Sequence, residues 1–295
     1  MDYLGKYGYS LDQEKIDRAL ERIAANLDNV ASERVYKDCF SMMDLTTLKT
    51  DDTPASVARL VGKVNAFKEI YPEWPLPASV CVYPNFAATV AAERKSDFNI
   101  TVVSACFPSS QSFLEVKLRE CELAVEQGAD EVDIVLALSK FLEGDYDAAA
   151  EEIRQVRSAI DKVAQKQGRK VHLKVILETG LLKTQENIAK ASFLAMESGA
   201  DFIKTSTGKV DVNATPMAAY VMCECIARYY EVTGKKIGFK PAGGISSAAD
   251  ALCYYSVVST VLGKDWLNKE LFRFGVSRVA NSLLSAVEEK TVTFF

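Results

Sequence analysis

Two runs decide how this chain reads: Ala200-Asp201-Phe202-Ile203-Lys204-Thr205-Ser206-Thr207-Gly208-Lys209, and further on Ile237-Gly238-Phe239-Lys240-Pro241-Ala242-Gly243-Gly244-Ile245. Each has the length and apolar content of a buried β-strand, and each carries a lysine inside it. A charged ammonium buried in a strand is costly, and the usual relief is loss of its proton. A neutral amine is a nucleophile, so the pair points to covalent chemistry on a carbonyl through a lysine Schiff base.

Working outward, eight apolar or alternating runs read as strands: Phe40–Leu48, Ser79–Phe86, Ile100–Phe107, Glu131–Leu138, Val171–Thr179, Phe202–Gly208, Ile237–Ile245 and Leu271–Ser277. Segments with apolar residues three and four apart lie between them, over Thr53–Phe67, Ser112–Gln127, Tyr146–Gln165, Glu186–Glu197, Pro216–Tyr230 and Ala248–Val258. Strands alternating with helices imply parallel βαβ units, and eight units over about 250 residues fit a closed (β/α)8 barrel, the TIM barrel. No G-x-G-x-x-G follows the first strand, which removes support for a dinucleotide-binding sheet. The expected organisation is a single α/β domain. Residues 1–38 form a helical extension capping the N-terminal end of the barrel, residues 39–284 the barrel, and residues 285–295 a tail.

Strand residues alternate between faces, which gives a parity test. With Ile203, Phe239, Val132, Ile134, Leu173, Val175, Met43 and Leu45 facing the outer helices, the barrel interior receives Asp44, Thr46, Asp133, Lys174, Lys204 and Lys240. Glu178 falls on the same side. A purely structural barrel would fill this space with Val, Ile and Leu. Taken alone, Lys174 reads best as half of an ion pair. Lys204 and Lys240 sit on adjacent strands near their C-terminal ends, where barrel active sites lie, and two ammonium groups close together lower one another's pKa. Asp133 either balances their charge or shuttles protons.

Glycines punctuate the later strand ends, at Gly208-Lys209, Gly243-Gly244 and Gly275-Val276-Ser277. They serve either as βα turns or as backbone cradles for an anion, and three in adjacent loops favour the anion site. Lys209, Ser246 and Ser277 could add a cation and hydroxyl donors.

The bulk numbers set the class. The chain has 295 residues, 48% of them apolar and 25% charged, with net charge −5. That is ordinary for a globular protein and disfavours non-specific nucleic-acid binding. Seven cysteines, an odd number, suggest reduced thiols. Cys223-Glu224-Cys225 reads as packing, and Cys81 as a buried inward thiol. His172 is the only histidine, which excludes a histidine-rich metal site and a convincing Ser-His-Asp set. Neither a signal-type apolar region nor a membrane-length apolar run is present, so the expected location is the cytoplasm.

The two lysine runs resemble the signatures of the deoxyribose-phosphate aldolase family. Met43-Asp44-Leu45-Thr46-Thr47-Leu48, Val80-Cys81-Val82-Tyr83-Pro84, Glu131-Val132-Asp133, Leu173-Lys174-Val175-Ile176-Leu177-Glu178-Thr179-Gly180 and Phe272-Arg273-Phe274-Gly275 extend the likeness in collinear order from Phe40 to Leu284. The resemblance implies a class I aldolase on a TIM barrel that cleaves 2-deoxy-D-ribose 5-phosphate reversibly to D-glyceraldehyde 3-phosphate and acetaldehyde. It implies Lys204 as the Schiff-base lysine, Lys240 as the lysine that lowers its pKa, and Asp133 as a proton relay. Asp44, Thr46, Lys174, Thr207, Gly208, Lys209, Gly243, Gly244, Gly275 and Ser277 become the expected substrate- and phosphate-binding set. A sugar phosphate is the expected partner and a homodimer the expected assembly, with no cofactor, metal, nucleic acid or membrane. Another class I sugar-phosphate aldolase and a non-catalytic sugar-phosphate sensor are the rival readings. The chain departs from the family pattern in three places: Ser246 stands where members often have Arg, Arg278 where they have a small hydroxyl residue, and Phe294-Phe295 end a chain that in some members ends in tyrosine.

Overall fold

A computed structural model describes residues 2–295. Eight strands, β1 Met43–Thr46, β2 Ser79–Val82, β3 Asn99–Val103, β4 Glu131–Val135, β5 His172–Ile176, β6 Phe202–Lys204, β7 Gly238–Lys240 and β8 Phe274–Val276, pair in parallel with their sequence neighbours, and β1 also pairs with β8. Between β7 and β8 the ring closes through Phe239 N–H to the Leu271 carbonyl (2.9 Å), Arg273 N–H to Phe239 (3.0 Å) and Gly275 N–H to Pro241 (2.9 Å). The fold is the expected TIM barrel.

Fourteen helices are described: α1 Tyr3–Tyr7, α2 Gln13–Ala25, α3 Leu27–Val30, α4 Glu33–Ser41, α5 Pro54–Ile70, α6 Ala87–Glu93, α7 Leu114–Glu126, α8 Leu138–Leu142, α9 Tyr146–Lys166, α10 Thr179–Leu182, α11 Gln185–Glu197, α12 Pro216–Thr233, α13 Ala248–Val261 and α14 Val279–Glu288. Many begin at a side-chain cap. Asp12, Ser32, Thr53, Asp145, Thr184, Thr215 and Ser247 each accept the backbone N–H three residues on, satisfying a donor that the first helical turn leaves free.

The strands are shorter than the apolar runs implied. Pro241 has no N–H to continue β7. Beyond Lys204 the Thr205 hydroxyl donates to the Ala242 carbonyl (3.1 Å) and accepts from the Ala242 N–H (2.9 Å), so a side chain replaces the ladder there. Phe40 belongs to α4, not to the first strand: Ser32 caps that helix, and Val35 and Cys39 repeat at helical spacing on its buried face. Helices α6 and α14, absent from the periodicity reading, complete the outer ring.

The N-terminal helices do not cap the end of the barrel as expected. They pack outside the ring: α1 on α11 and α12, α2 on α12 and α13, and α4 on α13 and α14. Aromatic packing draws them there. The Tyr7 ring stacks on Phe193 with centroids 4.4 Å apart, and its hydroxyl donates to Glu197. The last residues dock beside α4, where Phe295 meets the Phe40 ring, Phe294 and Phe295 pack on Phe67, and Asn281 holds the Phe295 backbone through bonds of 2.8 and 2.9 Å.

The parity test holds inside the barrel. Met43, Leu45, Val132, Ile134, Leu173, Val175, Ile203 and Phe239 are buried against the helices, and the interior is charged. Its lower layer is built on Arg273, whose guanidinium takes Glu131 in a fork (2.7 and 3.0 Å) and reaches Asp44 (2.6 Å). Asn99 (2.7 Å) and Thr101 (3.0 Å) also donate to Glu131, and Ser79 donates to Asp44 at 2.8 Å. The Phe202 ring fills the remaining space beneath Lys174 and Arg273, and only glycine fits opposite it, because a Cβ on Gly238 would lie 2.2 Å from that ring. Removing one partner of such a pair leaves a bare buried charge, typically at a cost of about 3–5 kcal/mol. Arg273→Met is therefore expected to lose stability on that scale in urea unfolding; a midpoint unchanged from the parent chain would show that the lower layer does not depend on this guanidinium.

Candidate active site

Above Arg273 the inward side chains of β4, β5, β6 and β7 meet. The Asp133 carboxylate is the meeting point. Its Oδ2 accepts from Lys204 and from Lys240, each at 2.8 Å, and its Oδ1 accepts from Lys174 at 3.0 Å. The two lysine nitrogens are therefore separated by no more than twice 2.8 Å. The β6–β7 register sets Lys204 directly beside Lys240. Lys240 also pairs with Asp44, and Lys174 with Glu131 and, at 3.5 Å, with Asp44.

The ion-paired cluster thus holds four cationic side chains, Lys174, Lys204, Lys240 and Arg273, and three carboxylates, Asp44, Glu131 and Asp133, all almost fully excluded from solvent, while the buried Glu178 bonds to Thr207. With every group charged the cluster carries one uncompensated positive charge. A single lost proton balances it. Lys204 has one carboxylate partner, whereas Lys240 and Arg273 have two and Lys174 has three.

The pKa directions follow that geometry. Burial lowers the Lys204 ammonium, and the charge of Lys240 lowers it further against the opposing pull of Asp133. Burial works against the charge on Lys240 and Lys174 as well, but carboxylates on two sides overcome it and raise both. Burial would raise the three carboxyls; the surrounding cations prevail, holding Asp44 and Asp133 well below the usual carboxylate range and Glu131 at about 2. Of the four cations, Lys204 alone has its pKa lowered; those of Lys174, Lys240 and Arg273 are raised.

Lys204 is also the member of this cluster that meets open space. It lines a cavity of about 250 Å³ at the C-terminal end of the strands, walled by Thr46, Lys49, Thr207, Gly208, Lys209, Gly243, Gly244, Gly275, Ser277 and Arg278. Gly208, Gly243 and Gly244 have φ of 79°, 82° and 77°, the left-handed region that glycine enters without steric cost. Gly275 has a different reason: a Cβ there would crowd Ala242 at 2.7 Å and the Lys240 side chain at 3.0 Å. Lys209 crosses the mouth and donates to the Leu48 carbonyl at 2.6 Å.

Most of the expected binding set walls this cavity, and two members lie beneath it. Asp44 and Lys174 are fully buried, do not wall it, and take part in the ion-pair network. Ser246 points elsewhere, its N–H bound to Asp250 at 2.9 Å, whereas Arg278 lines the cavity and brings the cation that position 246 lacks. Phe295 lines a neighbouring hollow, together with Arg278, and not the cavity itself. Cys81 is fully buried, and burial raises its thiol pKa. His172 sits at the start of β5, and the buried Cys223 and Cys225 belong to α12. Among the described residues no group of three or more His, Cys, Asp and Glu could hold a metal.

Three residues were passed over in the sequence. Glu131 shares parity with Asp133, and Arg273 shares it with Gly275 and Ser277, so both signals were present. Glu178 was placed inward without a task. It takes a left-handed backbone (φ 56°, ψ 59°) and accepts the Thr207 N–H at 3.1 Å and the Thr207 hydroxyl at 2.6 Å. Thr207 in turn accepts the Lys209 N–H at 3.1 Å, so one carboxyl on β5's loop fixes the turn after β6. Burial raises the Glu178 pKa, opposed by those bonds and by Lys204. In Glu178→Ala the buried Thr207 N–H loses its acceptor, which costs about 1–3 kcal/mol. The expected result is a lower melting temperature and weaker binding of inorganic phosphate in the cavity, with Glu178→Gln losing less of both; a melting curve identical to the parent would show that Thr207 is held otherwise.

Comparison with known proteins agrees with this architecture. The model of the family described as DeoC/LacD family aldolase matches residues 39–255. The deoxyribose-phosphate aldolase of Homo sapiens is 44% identical over 261 residues, covering 85% of this chain and 78% of its own. That of Agrobacterium fabrum is 40% identical over 248 residues, covering 84% and 89%. Among solved structures, the tetrameric deoxyribose phosphate aldolase of Aeropyrum pernix superposes with a TM-score of 0.68 at 23% identity, covering 91% of this chain and 97% of that one, and supports the fold. By its family match and its relatives this chain is an aldolase, a member of the DeoC/LacD family.

Proposed function

We propose that this aldolase cleaves 2-deoxy-D-ribose 5-phosphate reversibly to D-glyceraldehyde 3-phosphate and acetaldehyde, through a Schiff base on Lys204. The observation that carries the reading is the charge imbalance of the buried ion-pair cluster: its surplus positive charge falls on Lys204, the one member of the cluster that lines the cavity and the one whose pKa is lowered. The substrate comes from the relatives' names, and the cavity suits it, with a nucleophile at its base and Lys49, Lys209 and Arg278 among the glycine turns around it.

Neutral Lys204 attacks the C1 aldehyde of the open-chain sugar to give a carbinolamine. Lys240, held protonated by Asp44 and Asp133, is the nearby acid; Asp133 bridges it to Lys204 and gives a route for protons as the carbinolamine loses water. The resulting iminium accepts the electron pair of the C2–C3 bond when the C3 hydroxyl loses its proton, releasing glyceraldehyde 3-phosphate. Protonation of the enamine at C2 and hydrolysis of the iminium release acetaldehyde and restore the free amine. Anchoring the phosphate at the glycine turns holds the reacting bond over Lys204. Lys174 has no step here; it supports Asp133 from below.

Borohydride added with deoxyribose 5-phosphate is expected to trap an adduct on Lys204 in peptide mass mapping, and Lys204→Leu to abolish turnover in a coupled assay for glyceraldehyde 3-phosphate. Trapping at another lysine would refute the assignment. Phosphate binding without turnover would favour a sensor, and cleavage of fructose bisphosphate in its place a different aldolase.

The pH dependence tests the pairing. Lys204 reacts as the free amine, so kcat/KM rises with pH through its lowered pKa. Lys240→Leu removes the neighbouring positive charge, which raises the Lys204 pKa and moves that acidic limb to higher pH, besides lowering the rate by about 10²–10⁴-fold through loss of acid catalysis. An acidic limb left in place would mean that Lys240 does not set the Lys204 pKa.

A further inference from the structure

Beyond Glu288 the chain turns back along α14 toward the start of that helix. The Val292 N–H donates to the Ser285 hydroxyl at 2.9 Å. One helical turn nearer the start, the Asn281 side chain accepts the Phe295 N–H (2.9 Å) and donates to the Phe295 carbonyl (2.8 Å), as a neighbouring strand would. The Ser285 hydroxyl donates to the Asn281 carbonyl at 2.7 Å, so the two anchor points are themselves joined. The Phe294 ring lies against Phe67 and Tyr71, and the Phe295 ring against Phe40 and Phe67. Both backbone and rings are therefore fixed.

This segment reaches the first turns of α14, where the phosphate end of the cavity is built. Arg278 is the N-cap residue of α14 and makes no side-chain cap bond, so no local bond of that kind fixes the turn. The Arg278 side chain walls the cavity, yet it takes part in no hydrogen bond or ion pair among the described residues. Asn281 lies three residues on, over the same helical face. A hollow of about 670 Å³ lies behind the wall; Asn281 and Phe295 line it, and it shares Thr46, Lys49, Ser277 and Arg278 with the cavity. Ser282 accepts the Ala248 N–H at 2.9 Å, which ties the start of α13, just after Gly243-Gly244, to the same turn of α14.

We propose that Asn281 and Phe295 are positioning residues for the phosphate end of the cavity. They hold the first turns of α14 and bound the space behind Arg278, so that its guanidinium faces the ligand and does not swing back into the hollow. This rests on the reading of the cavity as a sugar-phosphate site. A long side chain without partners has several rotamers, and apparent affinity falls with the fraction of time spent away from the ligand. Lys204 stands on β6, remote from this helix in the ring, so the expected signature lies in binding and not in turnover.

The test is kinetics of Phe295→Ala and Asn281→Ala with 2-deoxyribose 5-phosphate and with unphosphorylated 2-deoxyribose, alongside calorimetric titration with inorganic phosphate. KM for the phosphorylated sugar and the dissociation constant for phosphate are expected to rise roughly three- to tenfold, the size of a coupling between neighbouring residues. Turnover number and the reaction of the unphosphorylated sugar are expected to match the parent, and Phe295→Leu to lose less than Phe295→Ala. In an Arg278→Ala background the same substitutions are expected to add nothing. Asn281→Ala leaves every ring in place, so a change it shares with Phe295→Ala is not the loss of aromatic packing, and melting temperatures read folding separately. A fall in kcat at unchanged KM, an equal loss with the unphosphorylated sugar, additive effects with Arg278→Ala, or a lowered melting temperature with phosphate binding intact would each overturn the proposal. Should the parent chain fail to cleave 2-deoxyribose 5-phosphate, the proposed function falls, while the phosphate titrations still decide the role of Asn281 and Phe295.

Discussion

One carboxylate holds the centre of this molecule together. Asp133 receives three lysines from three different strands, and every other inward charge is arranged by what remains after that bonding. Buried ions stay ionised only where partners replace lost water, and here carboxylates and lysines interlock through two layers so that each has a neighbour. The chain could have filled this space with branched aliphatics, as a purely structural barrel does. It carries instead an ion-paired set of charges whose sum is off by one, and the mismatch falls on the one member of the set that lines the cavity.

The loops complete what the strands begin. Glu178, in an unfavourable backbone conformation, fixes Thr207, and Thr207 fixes the turn that carries Lys209. Glycines at the ends of β6 and β7 take conformations that other residues rarely adopt, and the missing Cβ of Gly275 leaves room for the Lys240 side chain. Rigid strands set the Lys204 nitrogen, while the turns around it are held by a few buried bonds.

Much of this was legible in the sequence because alternation is a strict rule in strands. The faces of Asp133, Lys174, Lys204 and Lys240 follow from the apolar residues beside them, and the eight βα units follow from spacing. Distances across the barrel were not legible. Parity says that Lys174 points inward but not how deep it lies, so its place beneath the cavity needed the register between β4 and β5. Arg273 hid in a phenylalanine-rich run whose strand begins only at Phe274. Phe40 reads as part of a strand because an apolar residue next to a strand looks the same as one at the end of a helix. The position of the N-terminal helices depended on the Tyr7–Phe193 stack, a contact between residues remote in sequence.

The electrostatic surplus inside the barrel also bears on the course of the reaction. In the proposed mechanism, an iminium on Lys204 would be cationic and would return to the interior the charge that deprotonation removes. The incoming sugar carries an anionic phosphate, which would sit at the rim of the same pocket, near Arg278 and the glycine turns. On this view substrate entry and covalent attachment form a charge cycle: the guest brings the counterion that its own intermediate requires, and departure of the products resets the neutral lysine.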